Sequence, residues 1–324
     1  MLYNIDVKKM KKSDTGEWDR FVNDSENGTI FHLQKFLGYH PKNRFINCHL
    51  MFRYNKQLIG VIPGTEKYID GKKIFVSHPG VSFGGLVFKN DISLFRQDSV
   101  IKSMLNYFKK NIFNEVYITC PPLPYMKSLC ESINFFFYSN GLRIIRKELS
   151  SVIPLSYTSK DDILKSFRRS TRGSYRKAVK SEIYTEESND VDTFYPILKT
   201  VKDAYKVNPA HSLSELKKLL KLFPDRIKLF GTFHKKKLIG GIVFFLCDST
   251  NALIFYNIID KKYQLMKPAN FQVYKVIEYL WERGYKELDF GISTIDMDPN
   301  IGLIRFKMGF GARNYARNYY YIEL

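Results

Sequence analysis

The stretch GTFHKKKLIGGIVFF, Gly231 to Phe245, decides how this sequence is read, because FRYNKQLIGVIPG, Phe52 to Gly64, anticipates it 180 residues earlier. Both contain the pattern K-x-L-I-G-x-I behind a polar turn, so each reads as a hairpin: strand, lysine-bearing turn, apolar strand. A second echo follows in the same order. SMLNYFKKNIFNEVYIT (Ser103 to Thr119) and VIEYLWERGYKELDFG (Val276 to Gly291) both read as a helix leading into a strand, now 172 residues apart, from Tyr107 to Tyr279. The smaller offset puts a few extra residues between the echoes of the first copy. Self-similarity in a fixed order points to a duplicated α/β module.

The boundary is expected near SVIPLSYTSKDD, where a strand ends at Pro154 and Ser159 to Asp161 can cap a new helix. That divides the chain into residues 1–155 and 156–324. Within each copy the order reads helix, antiparallel hairpin, strand, helix, strand: a mixed sheet flanked by helices. In the second copy the periodicity predicts helices over 160–180, 191–208, 212–222 and 269–283. Strands are expected over 227–233, 238–247, 252–259, 287–291 and 315–322.

The composition supports two packed cores. Of 324 residues, 44 % are hydrophobic and 15 % aromatic, which excludes a disordered chain. Cys48, Cys120, Cys130 and Cys247 form no CxxC pair and show no metal-ligand spacing with histidine, so no metal site is expected. They read as free buried thiols of a reducing compartment. The first residues are too charged for a signal peptide, and no apolar run reaches the ~18 residues of a membrane span, so a cytoplasmic protein is expected. The net charge of +19 implies an anionic partner: nucleic acid, a phosphorylated small molecule or a membrane surface. Solvated lysine-rich faces would give the same number.

The module order resembles the GNAT acyltransferase fold, whose cofactor signature, Q/R-x-x-G-x-G/A, lies between a central strand and a helix. NALIFYNIID is followed here by QLMKPA, Gln264 to Ala269, which fits that signature except that Lys267 replaces the first glycine. Such a loop aims backbone N–H groups and a helix N-terminus at a pyrophosphate. Pro268 suits the helix start but donates no N–H. Two such modules, with NGTIFHLQKFLGYH early and LDFGIST…NIGLIRFKMGFGA late, resemble the Fem-type branch, the double-GNAT transferases of bacterial envelope synthesis. The segment VNPAHSLSELKKLLKLFPDRI further resembles a subgroup that includes N-acyltransferases acting on amino sugars. No sustained heptads mark a tRNA-gripping coiled-coil arm.

The resemblance implies a fold of two tandem GNAT-like modules with a cleft between them, acceptor in the first and acyl-CoA, a co-substrate and not a tightly bound cofactor, in the second. Asn257, Gln264, Lys267, Ala269 and Asn270 would then bind CoA. Lys307 resembles a family lysine beside the acyl transfer site, where a cation can meet developing negative charge. Its spacing alone fits a solvated lysine on a capped helix, with Leu303, Phe306 and Phe310 forming the apolar face. His211, ahead of the helix that Ser212 caps, is a candidate base or a surface loop residue. Tyr256 resembles a position where GNAT strands splay around the acyl donor, and core packing is its alternative. Asp289 and Ser293 end a strand near the expected thiol exit, or satisfy local backbone donors.

In the first module Lys35 matches a family lysine that touches the acceptor's phosphates. SHPGVSFGGL sets His78, Gly84 and Gly85 where a ligand can approach the backbone, or where a hairpin bends tightly. KSFRRSTRGSYRKAVK, Lys165 to Lys180, spreads seven basic residues around a helix, including Arg168, Arg172 and Arg176. Phosphates or plain solvation would explain it. Three functions follow in order. The first is an N-acyltransferase moving an acyl group from acyl-CoA to the amine of a nucleotide-linked amino sugar for surface polysaccharide. The second is an aminoacyl-tRNA-dependent transferase acting on a peptidoglycan precursor. The third is an inactive GNAT scaffold that binds nucleic acid. A homo-oligomer is compatible with each.

Overall fold

An edge strand, β1 (Asp6–Lys9), opens the computed structural model, which describes residues 3–128 and 130–324. Then come α1 (Thr15–Asn23), α2 (Gln34–Leu37), β2 (Ile46–Asn47) and the hairpin β3 (Leu50–Tyr54) to β4 (Gln57–Ile62). A second hairpin, β5 (Gly64–Ile69) to β6 (Lys72–Ser77), leads through β7 (Val87–Phe88) to α3 (Leu94–Lys110), β8 (Glu115–Thr119), α4 (Ser132–Ser139) and β9 (Arg143–Pro154). The second copy begins with α5 (Lys160–Ser166), α6 (Arg169–Lys180), β10 (Ile183–Glu187), α7 (Val191–Asp203) and α8 (Leu213–Leu222). It continues with β11 (Ile227–His234), β12 (Lys237–Leu246), β13 (Asn251–Ile259), α9 (Pro268–Glu282) and β14 (Glu287–Ile292). A small hairpin of β15 (Thr294–Ile295) and β16 (Asp298–Pro299), then α10 (Ile301–Met308) and β17 (Arg313–Glu323), complete the chain.

The repeated stretches are the same hairpin down to its irregularity. Asn55 and Lys56 have φ of 48° and 65°, and Lys235 and Lys236 have 47° and 64°. Two consecutive left-handed residues form the turn whose twist matches flanking antiparallel strands. In both copies the register then slips at one residue, Ile59 in β4 and Ile239 in β12, just before the shared glycine, Gly60 or Gly240. The echo of helix into strand is also repeated: β8 pairs in parallel with β6, and β14 with β13.

The copies differ where Pro63 follows β4. Proline has no N–H for a ladder and ends the strand. Gly64 then restarts it, pressed against the Phe75 ring, where a Cβ would stand 2.2 Å from a ring carbon. The first copy therefore has two sheets, β1-β3-β4-β7 and one containing β2-β5-β6-β8, whereas β12 runs ten residues unbroken through the order β10-β11-β12-β13-β14.

The chain divides into two units that interleave in sequence. One comprises Met1–Leu149, Thr294–Asp298 and Tyr315–Leu324, the other Ser150–Ser293 and Pro299–Asn314. Tyr319–Glu323 of β17 pairs with β8 inside the first unit, and Ser150–Pro154 of β9 pairs with β14 inside the second. The first core packs Val100, Met104 and Phe108 of α3 onto Phe75, Val116 and Ile118. The second packs Val273, Val276 and Ile277 of α9 onto Ile242, Phe244 and Leu288. Burying each such side chain contributes about 1.5–3 kcal/mol.

Three expectations change. The basic helix over 160–180 is broken, because Phe167 turns extended (ψ 148°) to pack its ring on Phe310, 5.0 Å between centroids. The helix from Val191 stops at Asp203, and Lys206 is left-handed. Strand β10 at the sheet edge has no counterpart in the expected elements. Cys130 is half-buried, whereas Cys48, Cys120 and Cys247 are buried, all as free thiols. Among the described residues no helix is long and apolar enough to cross a membrane.

Candidate active site

In the second unit, β13 and β14 pair in parallel over three residues only, Asn251 with Glu287 through Leu253 with Asp289. β13 continues to Ile259 and β14 to Ile292, so the strands part beyond Leu253. No strand pairs with that stretch of the β13 edge among the described residues, which leaves backbone donors and acceptors available to an extended ligand.

Both lips of the opening are shaped by local chemistry. On β14, Gly291 has φ 71°, a conformation that suits glycine. Its N–H donates to Asp289 Oδ1 at 2.7 Å, and Ser150 Oγ–H donates to the same oxygen at 2.7 Å. Lys307 Nζ donates to the carbonyls of Gly291 (2.8 Å) and Ile292 (2.9 Å). Of the expected apolar face Phe306 and Phe310 pack on the core but Leu303 is exposed, and Lys307 is the buried residue of α10. The carbonyls at the strand end explain it: a buried ammonium needs acceptors, and these supply them. Asp289 thus spends its Oδ1 on orienting backbone and Ser150. Ser293 Oγ lies 3.3 Å from Ser151 Oγ, buried beside it.

On β13 a bulge at Phe255 interrupts the pairing with β12, between Val243–Tyr256 and Phe244–Ile254. The extra residue turns successive side chains to one side. Phe255 and Tyr256 both meet the His211 ring, at 4.8 and 5.9 Å between centroids. Tyr256 Oη lies 3.1 Å from His211 Nδ1 and accepts the His211 N–H at 3.2 Å. Burial pushes the Tyr256 hydroxyl up to about 12, so it stays protonated at neutral pH. His211 is buried, not a surface loop residue.

Asn257 faces the opposite side, where its Oδ1 accepts from Gln272 Nε2 on α9. Gln272 is fully buried and also accepts from Thr232 Oγ1 at 2.6 Å, a network not foreseen from the sequence. The signature loop forms a 3₁₀ turn, Lys261–Met266, and then Lys267 turns left-handed at φ 62° immediately before α9. This is the physical reason a glycine stands there in the signature. Gln264 and Lys267 are exposed, with Ala269 and Asn270 half-buried in the first turn of a fifteen-residue helix. Lys267 N–H and Asn270 N–H are used within the loop, on Gln264 O and Lys267 O.

Of the basic helix, Arg168 and Arg176 are exposed. Arg172 instead donates to the carbonyls of Lys165 (3.2 Å) and Phe167 (2.5 Å), closing the end of α5.

In the first unit, Lys35 is exposed on α2. His78 is buried in a cluster with His40 and His49, ring centroids 6.0 and 5.8 Å away. Its Nδ1 accepts the Gly80 N–H at 3.2 Å, while His40 Nε2 donates to Gly80 O at 2.9 Å. Two rings thus clamp one residue, Gly80, from both sides. Gly84 and Gly85 pack against the end of β8: Gly84 N–H donates to Thr119 O, and a Cβ on Gly85 would meet Cys120 Sγ at 3.4 Å.

With this geometry in hand, residues 165–308 match the family described as "Acetyltransferase (GNAT) domain". A search of curated proteins finds no match. Solved structures share the fold. FemX is 14 % identical with TM-score 0.76, covering 98 % of this chain and 97 % of that one. The C-terminal domain of a putative lysylphosphatidylglycerol synthetase from Agrobacterium fabrum is 12 % identical with TM-score 0.59, over 95 % and 91 %. A tandem GNAT protein from the clavulanic acid biosynthesis pathway is 12 % identical with TM-score 0.53, over 99 % and 98 %. The chain has a tandem GNAT-like architecture, and its residues 165–308 match the acetyltransferase (GNAT) domain.

Proposed function

We propose that this protein is an N-acyltransferase that takes its acyl group from acyl-CoA and delivers it to the amine of a nucleotide-linked amino sugar. The parting of β13 from β14 beyond Leu253 carries the reading. An extended thioester arm can enter that opening and pair its amides with the free β13 edge, its phosphates lying toward the Lys267 turn and the start of α9. GNAT domains supply the precedent for acyl-CoA, and the two cofactor residues that remain exposed, Gln264 and Lys267, stand where a pyrophosphate would arrive.

The chemistry asks for three things. The acceptor nitrogen attacks the thioester carbonyl, forming a C–N bond, and the C–S bond breaks. The nitrogen's proton passes to water or to His211. The departing thiolate takes a proton from Tyr256, a donor that burial keeps protonated. Tyr256 regains it from water or from His211, whose Nδ1 lies 3.1 Å away. Lys307 holds the Gly291–Ile292 peptide, and its charge favours the oxyanion as it forms. On this reading Lys35, exposed on α2 of the first unit, contacts the acceptor.

A second reading, transfer of an aminoacyl group from tRNA, is favoured by the likeness to a putative lysylphosphatidylglycerol synthetase. One assay separates them. Thiol release from acetyl-CoA is followed as nucleotide-linked amino sugars are added, with aminoacyl-tRNA offered in parallel. Acceptor-dependent thiol release supports the first reading. Aminoacyl transfer without any CoA turnover overturns it in favour of the second.

A further inference from the structure

Beyond the residues already placed, the first unit has a cleft of about 430 Å³ on the open face of its sheet. Ile74 and Val76 of β6, Tyr117 of β8 and Tyr319 of β17 form its floor, and the loop from Pro79 to Phe83 forms a wall. The opposite face of these strands is closed by the core under α3, so the floor is the side left to solvent. Its rings are not scattered. Tyr117 and Tyr321 are register partners with centroids 4.9 Å apart, and Tyr319 continues the same face two residues before Tyr321.

Two cations rim the cleft, Lys67 and Arg146, and no carboxylate belongs to its lining. Arg146 lies over the floor, its guanidinium carbon 3.9 Å from the Tyr319 ring centre. It is held there by Asp296 at 2.7 Å and by the neighbouring Glu148 at 3.5 Å. A guanidinium stacked in this way offers its outer face to a planar ring and a free edge to an oxyanion. Lys67 on β5 is three strands from Tyr319 on β17, about 14 Å at the usual inter-strand spacing of about 4.8 Å. The volume suits a small ligand, and the combination of tyrosine faces with separated cations selects one that carries an aromatic ring and phosphates.

We infer that this cleft binds the nucleoside diphosphate part of the acceptor, the base on the Tyr319–Arg146 stack and the phosphates toward Lys67. The inference rests on the nucleotide-linked acceptor proposed above. It adds Lys67, Tyr117, Arg146 and Tyr319 to the residues that recognise it. The wall is set by His78 and His40, through the two hydrogen bonds that fix Gly80, which gives these histidines a supporting role.

The test is calorimetric titration of the full-length protein with uridine, thymidine and guanosine diphosphates, with inorganic pyrophosphate as the control. At least one nucleoside diphosphate binds, and pyrophosphate binds more weakly. Tyr319→Leu and Lys67→Ala each weaken the nucleotide by about tenfold or more, the loss expected for a stacking or phosphate partner, while acetyl-CoA binding is unchanged. Arg146→Lys keeps the charge and the pairing with Asp296 but loses the planar guanidinium, and weakens the nucleotide likewise. Melting curves confirm that each variant is folded. Nucleotide affinity equal to wild type in all three variants overturns the cleft assignment and leaves the nucleotide-linked acceptor standing. No binding of any nucleoside diphosphate or nucleotide-linked sugar to the wild type overturns both.

Discussion

Lys307 shows at the residue scale what sequence spacing can and cannot give. Its neighbours Leu303 and Phe306 promise an apolar face, yet Leu303 is exposed while the lysine is buried, because Gly291 O and Ile292 O lie within reach of its ammonium. Lys307→Met should therefore leave two buried carbonyls short of a donor, lowering stability by about 1–3 kcal/mol. If its charge also serves the reaction, kcat falls with KM little changed in the folded variant at 25 °C. Lower melting temperature with an unaltered kcat would make it a structural pin alone. The histidines set a second prediction. Burial holds His32 and His49 down to about 4, and burial with neighbouring His49 and His40 holds His78 down to about 3. In the unfolded chain each titrates near 6.5, so the stability present above that pH is lost as pH falls toward 4 and below. Each contributes up to about 1.4 kcal/mol per pH unit in that window. The urea midpoint should drop between pH 7 and pH 5, and less so in His49→Gln. Equal midpoints at both pH values for the wild type would contradict the account.

The element scale holds most of what the sequence made legible. The repeat K-x-L-I-G-x-I encodes a turn, a bulge and a glycine, three local features that need no tertiary information, and the structure repeats all three at Asn55–Gly60 and Lys235–Gly240. Lys235 and Lys236 occupy left-handed positions at a cost that glycine escapes, about 1 kcal/mol or slightly more per residue. Lys236→Gly should accordingly raise stability by about 0.5–1 kcal/mol in denaturant unfolding. A fall in stability would mean that the lysine's own contacts outweigh the strain. What the sequence concealed depended on distant partners. The break at Phe167 follows from a ring contact with Phe310, far along the chain. The edge strand β10 is short and half-exposed, with little pattern to betray it. Asn257, which the resemblance implies as a cofactor residue, is engaged by Gln272, and that pairing becomes visible only once α9 lies on the sheet. His211 and Tyr256 are both candidates from the sequence, but their contact depends on the bulge at Phe255.

For the whole molecule, duplication with divergence would account for the division of labour proposed above. The second copy keeps an unbroken β12, the parting strands and the signature turn, the features a thioester cofactor requires. The first copy breaks its long strand at Pro63, splits its sheet and leaves an aromatic face with flanking cations. A net charge of +19 then suits two phosphate-bearing substrates without any call on nucleic acid. The central claim is that acyl-CoA occupies the second unit with its phosphates at the Lys267 turn. Calorimetric titration of acetyl-CoA into wild type, Lys267→Gly and Lys267→Glu tests it most directly. Glycine should keep the left-handed turn and bind with modest loss, whereas glutamate places negative charge against phosphate and should cost about 1–3 kcal/mol of affinity. The same affinity for all three proteins, or no binding to the wild type, would contradict the account.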